Sequence, residues 1–233
     1  VTAALSRAGI AYEQRDGDTV ALPNGTALDR VPAIAGKYEV QDASSQQTGR
    51  YFKAMPGESW WDACAGAGGK SLLLMDYYPA VNLLVSDVRG SILRSLDERF
   101  DAAGIRSYRR KIIDLTKDAG ALLGGEQFDG VILDVPCSGS GTWARTPEMI
   151  PAFDNGQIGA FAELQRRIAG NAIKPLKPGK PLIYITCSVF AEENEGSVAF
   201  LAGQHDMEVE EQALLKGYHG RADTLFVARM VRR

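Results

Sequence analysis

Two of the three cysteines in this 233-residue chain follow apolar segments of strand length. Cys137 comes after the segment that ends at Asp134, and Cys187 directly follows the segment that ends at Thr186. A thiolate is a good nucleophile, and covalent catalysis also needs a second group that moves a proton or assists release. Two thiols at neighbouring strand ends would supply both groups, although burial is the commonest fate of a free cysteine. The pattern predicts covalent chemistry.

A run of small residues at positions 62–71 follows another strand and leads into a helix. Small residues let the backbone approach a ligand closely, and a helix N-terminus offers unpaired N–H groups to it. A Walker A loop would need glycine at Cys64, and a dinucleotide fingerprint would need glycine at Ser71. A loop that binds S-adenosylmethionine remains. Its predicted binding residues are Asp62, Cys64, Ala65, Gly66, Ala67, Gly68, Gly69 and Lys70.

Three aspartates follow successive strand candidates. Asp87 closes the second strand, roughly 20 residues after the loop, where a carboxylate accepts hydrogen bonds from ribose hydroxyls. Asp114 closes the third strand and would accept a proton from an adenine amino group. Asp134 closes the fourth, facing cofactor and substrate. Any one of them alone could equally be a helix cap or a solvated strand end. Their regular placement favours the ligand-binding edge of an open α/β sheet.

Strand-length apolar runs alternate with helical segments from Ser59 onward, which is typical of βαβ units. The parallel strand candidates lie at 60–61, 83–86, 111–114, 131–134 and 182–186, and two more strands lie at 207–211 and 225–229. Between them, Ile92, Leu96 and Phe100 line one helix, and Phe161, Leu164, Ile168 and Ala172 line another that ends before Pro175. We therefore predict an α/β, Rossmann-like fold with a mainly parallel seven-stranded sheet and flanking helices.

The first 50 residues differ in pattern. A short helix is followed by strand candidates at 12–14 and 20–22, with a turn at 16–18 between them, and then by polar sequence. We predict a small N-terminal lead-in subdomain at 1–50 and a catalytic domain at 51–233.

Composition limits the cell compartment. An odd number of cysteines, three, argues against a disulfide framework and for a reducing compartment, so we expect a cytoplasmic protein. No apolar run approaches the roughly 18 residues of a membrane span, and the N-terminus lacks the layout of a secretion signal. We therefore expect no membrane contact. Because the chain starts at Val1 rather than Met, we also expect an upstream piece to be missing.

The formal net charge is −3, from 26 Lys and Arg against 29 Asp and Glu. Affinity for a phosphate backbone usually comes from clustered basic residues, so strong standalone binding of nucleic acid is not expected. Two basic runs, at 106–111 and 174–180, would form either a solvated face or part of a binding surface. No cluster of Cys and His has zinc spacing, and we predict no metal.

From about Gln41 to the C-terminus, the chain resembles the Nol1/Nop2/Sun family of RNA cytosine-5 methyltransferases. Four motifs match: Gln41, Asp42, Ala43, Ser44, Ser45 and Gln46; Asp62, Ala63, Cys64, Ala65, Gly68, Gly69 and Lys70; Asp134, Val135, Pro136, Cys137, Ser138, Gly139, Arg145, Pro147 and Glu148; and Thr186, Cys187, Ser188, Glu192, Glu193 and Asn194. Two long motifs that each contain a cysteine are highly specific. The resemblance implies an S-adenosylmethionine-dependent methyltransferase.

The resemblance also implies a role for each cysteine. Carbon 5 of cytosine is a poor nucleophile, so a thiolate must first add to carbon 6. The family uses the cysteine of its sixth motif, which makes Cys187 the expected nucleophile, and Cys137 assists release. Asp134 is placed to hold the ring through N3 and the exocyclic amine. Lys70 is expected to point into the active site.

Several residues depart from the family pattern. Ala67 stands where the cofactor loop commonly has proline, Lys180 replaces the second glycine of a Lys-Pro-Gly-Gly turn, and Thr224 and Leu225 replace a Gly-Phe pair. None of these positions is a proposed catalytic group. Only the change at Ala67 would bear on cofactor binding.

The implied substrate is an unpaired or flipped cytosine in RNA. The resemblance to the family favours ribosomal RNA as the first choice of substrate and transfer RNA as the second. Because the chain is acidic overall, we expect an upstream RNA-binding domain, a partner protein or an assembled ribosomal particle to supply part of the affinity. Two other functions stay open. One is a methyltransferase for a protein or small molecule, with structural cysteines, and the other is a non-catalytic, cofactor-binding RNA assembly factor.

Overall fold

The computed structural model describes residues 1–15, 17 and 19–233. At its N-terminus, a helix, α1 (Thr2–Arg7), precedes two short antiparallel strands, β1 (Glu13–Gln14) and β2 (Val20–Ala21). Within the predicted turn at 16–18, Asp16 and Asp18 lie outside the described residues. This part has its own small apolar cluster, made of Ala4, Leu5, Val31 and Ile34.

Seven further strands form one sheet: β3 (Ser59–Asp62), β4 (Asn82–Asp87), β5 (Arg109–Ile112), β6 (Gly130–Asp134), β7 (Pro181–Thr186), β8 (Met207–Lys216) and β9 (Thr224–Arg232). Their order across the sheet is β5-β4-β3-β6-β7-β9-β8. The first five strands in this order, β5, β4, β3, β6 and β7, are parallel to one another. The strand β9 pairs antiparallel with both β7 and β8. The mainly parallel, Rossmann-like sheet that the sequence predicts is thereby confirmed.

The remaining helices are α2 (Ala43–Gln47), α3 (Gly69–Tyr77), α4 (Gly90–Ala102), α5 (Gly120–Leu123), α6 (Gly156–Ile173) and α7 (Glu195–Gln204). Two apolar cores lie between helices and sheet, because successive side chains of a strand point to opposite faces. Trp61 packs in the core that includes residues of α6 and α7, and Trp60 in the core that includes residues of α3 and α4. Among the described residues, no helix is long and apolar enough to cross a membrane.

Two details of the predicted elements were wrong. The third strand was expected at 111–114, but β5 begins at Arg109 and ends at Ile112, because it pairs with β4 in a register that matches Ile112 to Asp87. Asp114 therefore lies in the following loop. On α4, Leu93 is fully buried with Leu96 and Phe100, whereas Ile92 is only half-buried. The buried face of this helix is thus turned by one residue from the predicted one.

Gly130, at the start of β6, tests the close packing of the sheet. A Cβ atom there would collide with the ring of the fully buried Trp60. We expect Gly130→Ala to lower the free energy of unfolding by about 1–3 kcal/mol, the usual cost of overpacking a core. Urea denaturation measures this change. The matched control is Gly159→Ala on the exposed face of α6, where a Cβ meets nothing. That change should stabilise by about 0.5–1 kcal/mol, and equal effects of the two substitutions would contradict the packing described.

Candidate active site

The loops that follow β3, β4, β6 and β7 meet at one edge of the sheet, because these strands are parallel and adjacent. Ligands of open α/β sheets bind at this edge. The glycine loop follows β3, and the two cysteine-containing loops follow β6 and β7. The order of the strands therefore brings together residues that are more than 100 positions apart in the sequence.

The two thiols are in contact. The sulfur atoms of Cys137 and Cys187 are 3.3 Å apart, and both residues are partly buried. The backbone N–H of Gly141 donates to the carbonyl oxygen of Cys187 at 2.8 Å and so ties one cysteine loop to the other. A Cβ at Gly141 would collide with the carbonyl oxygen of Thr224, so only glycine allows this close approach.

The surroundings of the two thiols shift their pKa values in opposite directions. The hydrogen bond between the two thiols lowers the pKa of Cys187, an effect opposed by burial and by Asp134 and assisted by Lys70. The same hydrogen bond, together with burial, raises the pKa of Cys137. Cys187 is therefore the favoured thiolate and Cys137 the thiol that donates to it. A thiolate is the nucleophilic form of cysteine.

Lys70 is buried at the start of α3, and its ammonium group contacts Asp134 and Ser45. Its Nζ lies 3.0 Å from Asp134 Oδ2 and donates to Ser45 Oγ at 2.8 Å. Gln41 Nε2 donates to the same hydroxyl oxygen at 3.0 Å. Ser45 and Gln41 thus orient Lys70 toward Asp134. The sequence analysis did not assign them to the site, although both lie in its first family motif.

The glycine loop turns sharply from β3 into α3. Gly66 and Gly68 have positive φ angles of 52° and 86°, and a Cβ at Gly68 would approach Leu96 Cγ to 2.8 Å. Ala65 N donates to Ser86 O at 2.8 Å. The carbonyl oxygen of Ala67, the position without the family's proline, accepts from Arg99. The arginine therefore supplies part of the restraint that a proline ring would give.

Asp62, at the end of β3, is fully buried behind this loop. Its Oδ2 accepts from Ser71 Oγ at 2.6 Å, and within the described residues its Oδ1 has no hydrogen-bond partner. Burial raises the pKa of Asp62 to about 7. Burial likewise raises the pKa of the neighbouring Cys64 thiol, which makes that thiol a poor nucleophile. An unpaired buried acceptor beside exposed backbone donors suits a ligand with an ammonium and a carboxylate group.

Asp87 and Asp114, which the sequence also predicts to bind the cofactor, differ in their contacts. Asp87 is buried and accepts from Gly66 N at 3.0 Å and from Arg89 through both carboxylate oxygens. Burial works to raise the pKa of Asp87, but the hydrogen bonds from Arg89 outweigh it and the pKa is lowered. Asp114 accepts from Thr116, which lowers its pKa, and pairs with Lys117 at 3.3 Å. Its contacts are with its own loop.

Glu193 is a further polar residue beside the two cysteines, and the sequence analysis did not assign it to the site. Glu193 is fully buried and hydrogen-bonds to residues that follow each cysteine, Ser138 and Ser188. Its only signal in the sequence is membership of the sixth family motif. Elsewhere in the described part of the chain, no three His, Cys, Asp or Glu side chains are grouped so that they could hold a metal ion.

A family model described as 16S rRNA methyltransferase RsmB/F matches residues 51–226. The chain belongs to this family. Among curated relatives, ribosomal RNA small subunit methyltransferase B of Sodalis glossinidius is 32% identical over 206 residues, which are 88% of this chain and 47% of the relative. The protein of that name from Xylella fastidiosa (strain Temecula1) is 34% identical over 198 residues, 82% of this chain and 46% of the relative. The chain thus spans about half the length of these RsmB relatives.

Two solved structures are similar to the chain in fold. PH0851 superposes with a TM-score of 0.90 and 25% identity, over 99% of this chain and 56% of that one. NSun6 from Pyrococcus horikoshii, solved with SFG, gives a TM-score of 0.80 and 24% identity over 91% of this chain and 57% of that one. The second likeness shows the shared fold.

The division of charge between the thiols predicts selective alkylation. At about pH 7, iodoacetamide should modify Cys187 faster than Cys137 or Cys64, because only the pKa of Cys187 is lowered and the thiolate is the reacting form. Mass spectrometry of peptides from timed samples measures the three rates. Cys137→Ala should move the Cys187 profile to higher pH, since it removes the hydrogen-bond donor. Equal rates for the three thiols in the folded protein, as expected after unfolding, would contradict this assignment.

The raised pKa of Asp62 predicts a pH-dependent stability. A folded-state pKa of about 7 against an ordinary value of 3.8 favours the neutral carboxyl in the folded protein. This contribution to stability is fully present below pH 3.8 and is lost as the pH rises to about 7. The side chain of Asp62→Asn does not titrate. The free energy of unfolding of this variant, minus that of the wild type, should therefore increase as the pH rises from about 5 to about 8. The exposed Asp76→Asn is the control for urea denaturation. A constant difference between variant and wild type would refute the effect.

Proposed function

We propose that the chain is the catalytic part of an enzyme that methylates carbon 5 of a cytosine in RNA, with Cys187 as nucleophile. The observation that carries this proposal is the contact of 3.3 Å between two thiols of which Cys187 is the more acidic. Membership of the 16S rRNA methyltransferase RsmB/F family supports the same reaction class. A catalytic thiol needs a reducing compartment, so we place the reaction in the cytoplasm.

S-adenosylmethionine fits the residues beside the thiols. The free Oδ1 of Asp62 would accept from its ammonium group, and the N–H groups of the first turn of α3, which begins at Gly69, would receive its carboxylate. Asp87 would bind the ribose and Asp114 the adenine amino group. When bound, the cofactor supplies a methyl group activated by a sulfonium. The relative NSun6, solved with SFG, which is an analogue of this cofactor, supports the assignment.

The residues of the chain then act on the base. The Cys187 thiolate forms a bond to carbon 6, and the electron pair of the double bond between carbons 5 and 6 becomes available at carbon 5. Asp134, oriented by Lys70 at 3.0 Å, holds N3 and the exocyclic amine. After methylation, loss of the carbon 5 proton to a base re-forms the double bond and breaks the bond to sulfur. The Cys137 thiol stabilises the departing thiolate by the same hydrogen bond.

Residues 1–50 are proposed to be a lead-in subdomain whose last ten residues complete the site. Asp42 caps α2 by accepting from Ser44 N and Ser45 N, and its second oxygen accepts from Asp223 N at 2.9 Å. Gln41 Nε2 also donates to the carbonyl oxygen of Gly69 at 3.3 Å. Through these bonds the lead-in fixes Ser45, and hence Lys70, against the catalytic domain 51–233.

Ribosomal RNA is the proposed substrate, because the curated relatives carry that substrate in their names. The net charge of −3 supplies little affinity for a phosphate backbone. We propose that a further RNA-binding domain, a partner protein or the assembled small ribosomal subunit provides the rest. Within this chain, the substrate is held mainly at the cytosine itself.

The deciding experiment follows labelled methyl groups from S-adenosylmethionine to unmodified small-subunit RNA, free and assembled with ribosomal proteins. Wild type, Cys187→Ala and Cys137→Ala are compared, and a denaturing gel detects protein–RNA adducts. We expect Cys187→Ala to lose transfer and Cys137→Ala to accumulate a covalent adduct, because release then lacks its donor. Asp76→Asn, an exposed substitution outside the site, is the control and should transfer normally.

Other outcomes point elsewhere. Undiminished transfer by Cys187→Ala would refute the nucleophile assignment. Transfer to a protein or small molecule but to neither RNA would identify a different methyltransferase. Binding of the cofactor without transfer to any acceptor would indicate a non-catalytic assembly factor.

A further inference from the structure

Glu193 is a buried carboxylate for which the proposed reaction has no direct use. It has no exposed surface and lies between the two cysteine loops. Its Oε1 accepts from Ser188 Oγ at 2.6 Å, and its Oε2 accepts from Ser138 N at 2.9 Å and from Gln165 Nε2 at 2.8 Å. All three donors are neutral. A buried carboxylate is costly unless such hydrogen bonds satisfy it, so these contacts are retained against a considerable desolvation penalty.

The three donors lie beside the catalytic pair. Ser138 directly follows Cys137, and Ser188 directly follows Cys187. Gln165 Nε2 also donates to the carbonyl oxygen of Pro136 at 3.0 Å, so Cys137 is held on both sides. One carboxylate therefore joins the peptide after the first cysteine to the side chain after the second.

This link lies beyond the point where the sheet joins the two loops. The pairing of β6 with β7 ends at Asp134 and Ile185, and the last hydrogen bond runs from Val135 N to Ile185 O at 3.0 Å. Cys137 and Cys187 both lie beyond that point. There, two sets of hydrogen bonds hold the loops together. One set joins them directly: Gly141 N to Cys187 O, Val189 N to Ser140 Oγ, and the contacts of Ser188 Oγ with Ser138 Oγ and Ser140 Oγ. The other set passes through the carboxylate of Glu193.

We propose that Glu193 is a positioning residue that fixes the separation of the two cysteine loops and so keeps the Cys137 thiol within hydrogen-bonding distance of the Cys187 sulfur. Its effect on turnover rests on the function proposed above, but its effect on the free thiols does not. The other charged groups that act on Cys187 are Asp134, Lys70 and Arg145. Substitution of Glu193 leaves these three in place.

Glu193→Gln is the sharpest substitution, because it preserves the volume of the side chain. An amide there has one accepting oxygen instead of two and no charge, so its bonds to Ser138 N and Gln165 Nε2 are weaker, and the bond to Ser188 must reverse its direction or be lost. Glu192→Gln is the matched control: it removes the same charge at the adjacent, exposed position. Ser188→Ala is a second test. It removes the donor to Glu193 Oε1 and also the contacts of Ser188 Oγ with Ser138 and Ser140, so Ser140→Ala, which leaves the bonds of Glu193 in place, is its control.

The experiment measures the alkylation of Cys187 by iodoacetamide against pH, by mass spectrometry, without RNA or cofactor. We expect Glu193→Gln to lower the rate at about pH 7 by roughly 5-fold, the equivalent of one hydrogen bond, and to shift the profile toward that of Cys137→Ala. Ser188→Ala should shift it in the same direction and further than Ser140→Ala does, and Glu192→Gln should match the wild type. Circular dichroism checks that each variant is folded.

A second readout is the protein–RNA adduct on a denaturing gel, which Glu193→Gln should accumulate, as expected for Cys137→Ala. If Glu193→Gln does not fold, Ser188→Ala decides the question by its pH profile. A profile unchanged from wild type in the folded Glu193→Gln, or in Ser188→Ala when only that variant folds, overturns the proposal. Shifted profiles in a protein that transfers no methyl groups would support the positioning role and refute the proposed function instead.

Discussion

The parallel pairing of β6 with β7 is the constraint on which the candidate site depends. Neighbouring strands of a sheet lie about 4.8 Å apart, so loops that leave adjacent parallel strands at the same edge start close together. Cys137 and Cys187 are 50 positions apart in the chain, and this pairing places their sulfur atoms at 3.3 Å. This contact is the largest cause of the opposite pKa shifts of the two thiols. Strand order therefore brings the two thiols together.

Other elements position polar side chains around this pair of thiols. The turn from β3 into α3 buries Lys70 at 8% exposure, where its ammonium pairs with Asp134 and favours the thiolate at Cys187. The lead-in contributes the hydroxyl of Ser45, which orients the same ammonium. Arg145 pairs through both carboxylate oxygens with Asp223, the residue before β9. Segments from both ends of the chain therefore converge on one catalytic edge.

Several buried polar groups are unusual for a core and are explained by the site. Asp62 has an acceptor oxygen without a partner, and Glu193 is buried with neutral donors only. Burying a carboxyl group costs free energy. We propose a separate task for each: Asp62 accepts from a ligand, whereas Glu193 holds the protein's own loops.

The sequence by itself determined the family, the order of strands and helices, and the residue types at the strand ends. These are local properties: apolar periodicity defines the elements, and the motifs around Cys137 and Cys187 are continuous in the chain. Register and contact were decided only by the tertiary structure. β5 was misplaced by two residues because an edge strand is positioned by its neighbour β4 rather than by its own pattern. Likewise Ser45, Gln165 and Glu193 entered the site because packing brought them there, and hydrogen bonds between distant segments leave no periodic signal in a single sequence.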